Sequence, residues 1–79
     1  GWGITHNNKN LIVSDGTHVI HFLDTTTLAE VSKIEVKEAG INVDKLNELE
    51  YINGFIFANR WMTNEVLKID PATGSVVGK

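Results

Sequence analysis

Two parts of this chain follow the same plan, with Asp24 and Asp70, 46 residues apart, as their register marks. Ile20-His21-Phe22-Leu23-Asp24 is matched by Val66-Leu67-Lys68-Ile69-Asp70, and Leu11-Ile12-Val13-Ser14-Asp15 by Phe55-Ile56-Phe57-Ala58-Asn59. The turn residues Asp24-Thr25-Thr26-Thr27 stand where Asp70-Pro71-Ala72-Thr73-Gly74 stand later. Each matched run is rich in β-branched and aromatic residues, which suit a pleated, half-buried strand. Blades of β-propellers repeat at about 40 to 50 residues with four strands each, so the spacing predicts two four-stranded antiparallel blades. A small β-sandwich also accommodates short, closely spaced strands, but it does not call for an internal repeat.

The strands can be placed from their breakers. Residues 10–14 form one run, and Asp15-Gly16 supplies tight-turn chemistry for a hairpin to the run 18–23. Asp24 to Thr27 can close a turn on their own backbone through short polar side chains. Residues 29–36 then alternate, with Ser32, Ile34 and Val36 on one side and Val31, Lys33, Glu35 and Lys37 on the other, the pattern of an outer strand. A charged linker carrying Gly40 occupies 37–45. The second unit restarts at Leu46 and turns at Asn53-Gly54, a strong hairpin signal. The first blade therefore spans 1–36, the linker 37–45 and the second blade 46–79. Leu46, Leu49 and Ile52 mimic helical spacing, but Asn53-Gly54 favours a strand there.

Composition narrows the function. Ten acidic against seven basic residues give a net charge of −3, so no basic stripe exists to neutralise phosphates, and a nucleic-acid partner is excluded. No apolar run is long enough to cross a membrane as a helix. The chain has no cysteine, and its three histidines do not form a zinc motif. His18 and His21 lie at odd spacing on one strand and so face opposite ways, which reads as surface or inter-blade positions. Asp15 and Asp24 read as turn residues, with Asp15 a candidate for a structural network. At 79 residues a single core is marginal, and the opening Gly1-Trp2-Gly3 without an initiator Met reads as a cut end. Support is then expected from further blades or from copies of the same chain.

Three segments carry a family resemblance: Gly1-Trp2-Gly3-Ile4-Thr5, Leu46-Asn47-Glu48-Leu49-Glu50-Tyr51 and Ala58-Asn59-Arg60-Trp61-Met62-Thr63. With Leu11 to Gly16 and Lys68 to Gly74 in the same order and spacing, the chain resembles the plant and bacterial type of glutaminyl-peptide cyclotransferase. The resemblance implies a five-bladed β-propeller, of which this chain would hold two blades. It also implies an acyltransferase that converts an N-terminal glutamine to 5-oxoproline (pyroglutamate) with release of ammonia. That activity is metal-independent and uses no cofactor. Its substrate is a peptide with N-terminal glutamine, and its setting is periplasmic or secretory.

Trp2, Asn47 and Trp61 fall on matching motif positions and are expected to bind substrate. The family's catalytic glutamate belongs to a Thr-Glu-Gly-Leu type segment that does not occur here, so no catalytic residue is assigned. Glu48 and Glu50 do not occupy its place, and the isolated segment is expected to be inactive. The chemistry fits these roles. Tryptophan offers a flat apolar wall with one N–H donor, and an asparagine amide both donates and accepts. Core packing is the competing role for Trp61, and a satisfied buried amide for Asn47. The competing functions are a non-catalytic propeller module that binds peptides or proteins and a self-associating propeller fragment.

Overall fold

In a computed structural model, which describes residues 3–61 and 63–79, the chain forms strands and turns, with no helix among the described residues. The first sheet is a meander of β1 (Gly3–His6), β2 (Asn10–Ser14), β3 (Val19–Asp24) and β4 (Glu30–Glu35), each antiparallel to the next. A small ladder of β5 (Lys37–Glu38) and β6 (Ile41–Asn42) follows. The second sheet is again a meander, of β7 (Leu46–Ile52), β8 (Phe55–Arg60), β9 (Val66–Ile69) and β10 (Val76–Gly78). The expected all-β architecture with two four-stranded antiparallel sheets is what is observed, and the segment that mimics helical spacing forms strand over 46–52.

Period-two alternation builds the core. Ile12, Ile20 and Phe22 point to one face of the first sheet, and Leu46, Leu49, Ile56, Ala58, Leu67 and Ile69 to one face of the second, and all join one buried cluster. Removing a side chain of this size from water contributes roughly 1.5–3 kcal/mol, so this shared face is what holds the two sheets together. Strand β4 shows Glu30 to Lys33 to solvent and buries Ile34 only in part, as the outer-strand reading requires. The first strands of the two sheets, β1 and β7, lie against one another.

The 46-residue repeat is visible in hydrogen bonds. The Asp24 carboxylate accepts from the Thr26 amide at 2.7 Å, and the Asp70 carboxylate from the Ala72 amide at 2.8 Å. The Leu28 amide donates to the Asp24 carbonyl and the Gly74 amide to the Asp70 carbonyl, at 2.9 and 2.8 Å. Leu28 and Gly74 both take left-handed backbone, with φ of +64° and +83°. Asn53-Gly54 forms the expected two-residue turn between the paired residues Ile52 and Phe55, with φ of +51° and +86°.

The β2–β3 connection is wider than the tight Asp15-Gly16 turn expected. Ser14 pairs with Ile20, so a longer loop intervenes, and the Asp15 carboxylate organises it by accepting from both the amide and the hydroxyl of Thr17. The Thr17 hydroxyl oxygen in turn accepts from the Val19 amide at 3.1 Å. Side chains, not a backbone turn type, close this loop. Within 37–45, Val43 donates its amide to the Val36 carbonyl and both side chains are buried, which ties the small ladder to the core.

Two glycines with the same left-handed backbone make a test of this packing. A Cβ on Gly74 would lie 2.1 Å from the Glu35 carbonyl oxygen, whereas one on Gly54 meets nothing within 4 Å. Gly54→Ala is expected to cost only the backbone strain, about 1–2 kcal/mol. Gly74→Ala must also displace β4 and should cost clearly more, read as a larger fall in the urea midpoint.

Candidate functional site

A strand that alternates strictly cannot bury two residues three positions apart, yet Leu46 and Leu49 are both in the core. The chain solves this with a β-bulge. Asn47 pairs with Asn59 and Leu49 with Ala58, so Glu48 is an extra residue without a partner, and it adopts φ of +36°. Bulges of this kind re-aim neighbouring side chains and are common beside functional sites. Here the half-buried Asn47 stands on the opposite side of β7 from the two leucines, across from Asn59. The Asn59 amide nitrogen is 3.4 Å from the Glu48 carboxylate and donates to it.

Beside the bulge lies a cleft of about 600 Å³, whose walls include Gly3, Ile4, Glu48, Phe57, Asn59 and Val66. It combines carboxylate, amide and aromatic surfaces, and such mixed lining suits a small polar group on an apolar stem. Trp61 follows β8 and is 54% exposed. With Gly16, Lys45 and Leu46 it borders a separate, shallower hollow. Its amide donates to the Lys45 carbonyl at 2.7 Å, and the Lys45 amide donates to the Gly16 carbonyl at 2.9 Å. The start of β7 is thus gripped from both sides.

Of the three residues expected to bind substrate, Asn47 and Trp61 sit at one end of the second sheet, where Leu46 pairs with Arg60 and Asn47 with Asn59. Trp61 borders the shallower hollow, whereas Asn47 is a wall of neither and reaches the cleft only through its neighbours Glu48 and Asn59. Trp2 lies outside the described residues. Glu48 and Asn59 line the cleft although neither was singled out for binding. The available signal was the Leu46–Leu49 spacing, which breaks strand alternation and marks the bulge.

The charged clusters lie elsewhere. His21 places Nε2 3.1 Å from Asp15 and Nδ1 against Glu30, bridging the β2–β3 loop and β4, with Lys33 paired opposite it on β4 and Val13 on β2. The hydrogen bond to Glu30 raises the His21 pKa, with Asp15 adding to the effect, and Thr17 leads the groups that lower that of Asp15. His18 contacts Glu35 at 3.2 Å and lowers the pKa of that carboxylate. Arg60 and Lys79 pair with exposed carboxylates of Asp44, Glu38 and Glu65. Exposed pairs of this kind contribute little stability. Among the described residues no cluster of His, Asp or Glu could hold a metal ion.

The family model for glutamine cyclotransferase matches residues 1–79. A glutaminyl-peptide cyclotransferase from Arabidopsis thaliana is 40% identical over 78 residues, which are 99% of this chain and 24% of that protein. The crystal structure of Myxococcus xanthus glutaminyl cyclase superposes with a TM-score of 0.95 at 46% identity, over 99% of this chain and 34% of that one. The chain therefore spans about a quarter to a third of the length of these relatives.

Two outcomes follow from this geometry. Because Trp61 is half exposed and Leu46 fully buried, Trp61→Ala should cost less than about 1 kcal/mol and Leu46→Ala about 2–5 kcal/mol in chemical denaturation. Equal losses would return Trp61 to a packing role. In the His21 cluster, the raised folded pKa adds stability that is fully present below the ordinary histidine value of 6.5 and is lost as pH rises through the folded value. The lowered Asp15 pKa adds stability above its ordinary value of 3.8, lost as pH falls through the folded one. The melting temperature should decline from pH 6 to 8, and His21→Gln should flatten that decline.

Proposed function

Since the chain belongs to the glutamine cyclotransferase family, we propose that it supplies part of the substrate pocket of an enzyme that converts N-terminal glutamine to 5-oxoproline. Its two sheets would be two blades of a five-bladed propeller. The observation that carries this reading is the match along the entire chain, at 40% and 46% identity to a named cyclotransferase and a named cyclase.

In the proposed reaction the substrate's free α-amine attacks its own γ-amide carbon, the carbon–nitrogen bond of that amide breaks, and the proton lost by the amine leaves on ammonia. The barrier has a large orientational part, because the glutamine side chain must fold back on its own amine. Trp2 and Trp61 would confine that folded conformer, and the Asn47 amide would orient it by donating to a carbonyl or accepting from the amine. A positioned carboxyl group would relay the proton. Glu48 and Glu50 are not assigned that part, so the 79 residues alone are expected to be inactive. The reaction as proposed calls for no metal.

The rest of the propeller, or copies of this chain, would be the partners. Ile52 and Val66 are 44% and 47% exposed on the face of the second sheet away from the core, beside Phe55 and Phe57, and Ile4 is 63% exposed on the first sheet. Ile4, Ile52, Phe57 and Val66 are also walls of the cleft beside the bulge, so further blades packed on these faces would bury them and close part of that cleft.

The test uses the full-length protein that contains this chain, assayed in chelator for ammonia release from a peptide beginning with glutamine. Ammonia is expected, and Asn47→Ala or Trp61→Ala should lower kcat/KM at least about tenfold with an unchanged melting temperature. No ammonia from correctly folded protein would sink the reading.

A further inference from the structure

The strand β1 meets the bulge of β7 without any side chain between them. A Cβ on Gly3 would lie 2.8 Å from the amide nitrogens of both Glu48 and Leu49 and 2.9 Å from Cγ of Leu49. Two of these three atoms are backbone, so the clash cannot be relieved by a rotamer change. Gly3 is itself fixed in place, because its amide donates to the hydroxyl of Ser14 at 2.9 Å, and Ser14 is fully buried in β2. Ser14, Gly3 and the Glu48 bulge are therefore stacked in direct contact, in that order.

What lies beyond the bulge gives this stack its consequence. Asn47 precedes Glu48 directly, and the leucines on either side, Leu46 and Leu49, are anchored in the core at 0% and 5% exposure. Because Leu46 is held in the core, a displacement forced on the amides of Glu48 and Leu49 would pass into the peptide units of Asn47 and Glu48. The pairing of Asn47 with Asn59 and the Asn59–Glu48 hydrogen bond lie within the same stretch.

We propose that Gly3 and Ser14 are positioning residues for Asn47, setting the distance of β1 from the β7 bulge and thereby the placement of the orienting amide. This rests on the reading of Asn47 as a substrate-orienting residue. Neither Gly3 nor Ser14 needs to touch substrate. Because a small misplacement of an orienting group costs rate more than binding, the loss should fall mainly on kcat.

A double-mutant cycle in the full-length protein tests this, with ammonia release from a glutamine-starting peptide as the assay. Gly3→Ala should lower kcat at least about tenfold with little change in KM, and Ser14→Ala, which adds no bulk, should do the same to a smaller degree. In an Asn47→Ala background each should have almost no further effect on kcat. Gly54→Ala, remote from the site and also destabilising, serves as the control and should leave kcat unchanged. If Gly3→Ala fails to fold, the Ser14→Ala arm of the cycle decides alone. Full additivity with Asn47→Ala, or wild-type kcat in Gly3→Ala and Ser14→Ala, overturns the proposal while leaving the pocket reading intact. An Asn47→Ala enzyme with undiminished turnover overturns both.

Discussion

Every other feature of this chain depends on two sheets pressing one apolar face each against the other. Ile12, Ile20 and Phe22 supply one side and Leu46, Leu49, Ile56, Ala58, Leu67 and Ile69 the other. In a strand, committing one face to a core fixes the direction of every remaining side chain, because neighbours alternate. The demand that Leu46 and Leu49 both enter this core is what forces Glu48 out of register. It is also what turns Asn47 away from the core. The candidate site is thus a product of the packing constraint and not an addition to it.

Much of this architecture could be read from the residues. The match between Asp24 and Asp70 marked two equivalent turns, and the structure gives them the same carboxylate-to-amide bond and the same left-handed residue four positions later. Asn53-Gly54 was legible because a two-residue turn with both residues at positive φ favours those side chains. The β2–β3 loop is one residue longer than the runs 10–14 and 18–23 leave room for, and it is closed by the Thr17 side chain, which bonds both Asp15 and Val19. Such side-chain closures depend on geometry that local residue type does not specify.

The bulge was visible in the sequence in a misleading form. Leu46, Leu49 and Ile52 at spacing of three imitate a helical face, and in the structure the first two are core residues separated by an inserted residue while Ile52 is exposed. Spacing alone does not tell a helix turn from a bulged strand; the Asn53-Gly54 turn that follows does. Gly3 was equally hard to interpret. The glycines flanking Trp2 allow a close backbone approach, but the partners at Gly3, Glu48 and Leu49, lie more than forty residues later in the chain and are not marked locally.

Backbone strain draws attention to the same place. Among the described residues six non-glycine positions have positive φ: Asn8 and Asn53 are of a type that tolerates it, and Leu28 and Ala39 stand at turns. Lys45 and Glu48, at φ of +61° and +36°, instead bracket Leu46 and Asn47. A left-handed residue of this kind costs about 1–2 kcal/mol, and a marginal domain keeps it only where surrounding contacts over-determine the conformation. Those contacts can be named: Gly16 and Trp61 hold the backbone of Lys45, and Gly3 leaves no room for a side chain between β1 and the backbone of Glu48. Neither strained residue serves the core directly, since both are exposed. Between the two strained residues the segment carries Leu46 inward and Asn47 outward. A backbone clamped on both sides is what the proposed role of Asn47, orienting a flexible substrate, calls for.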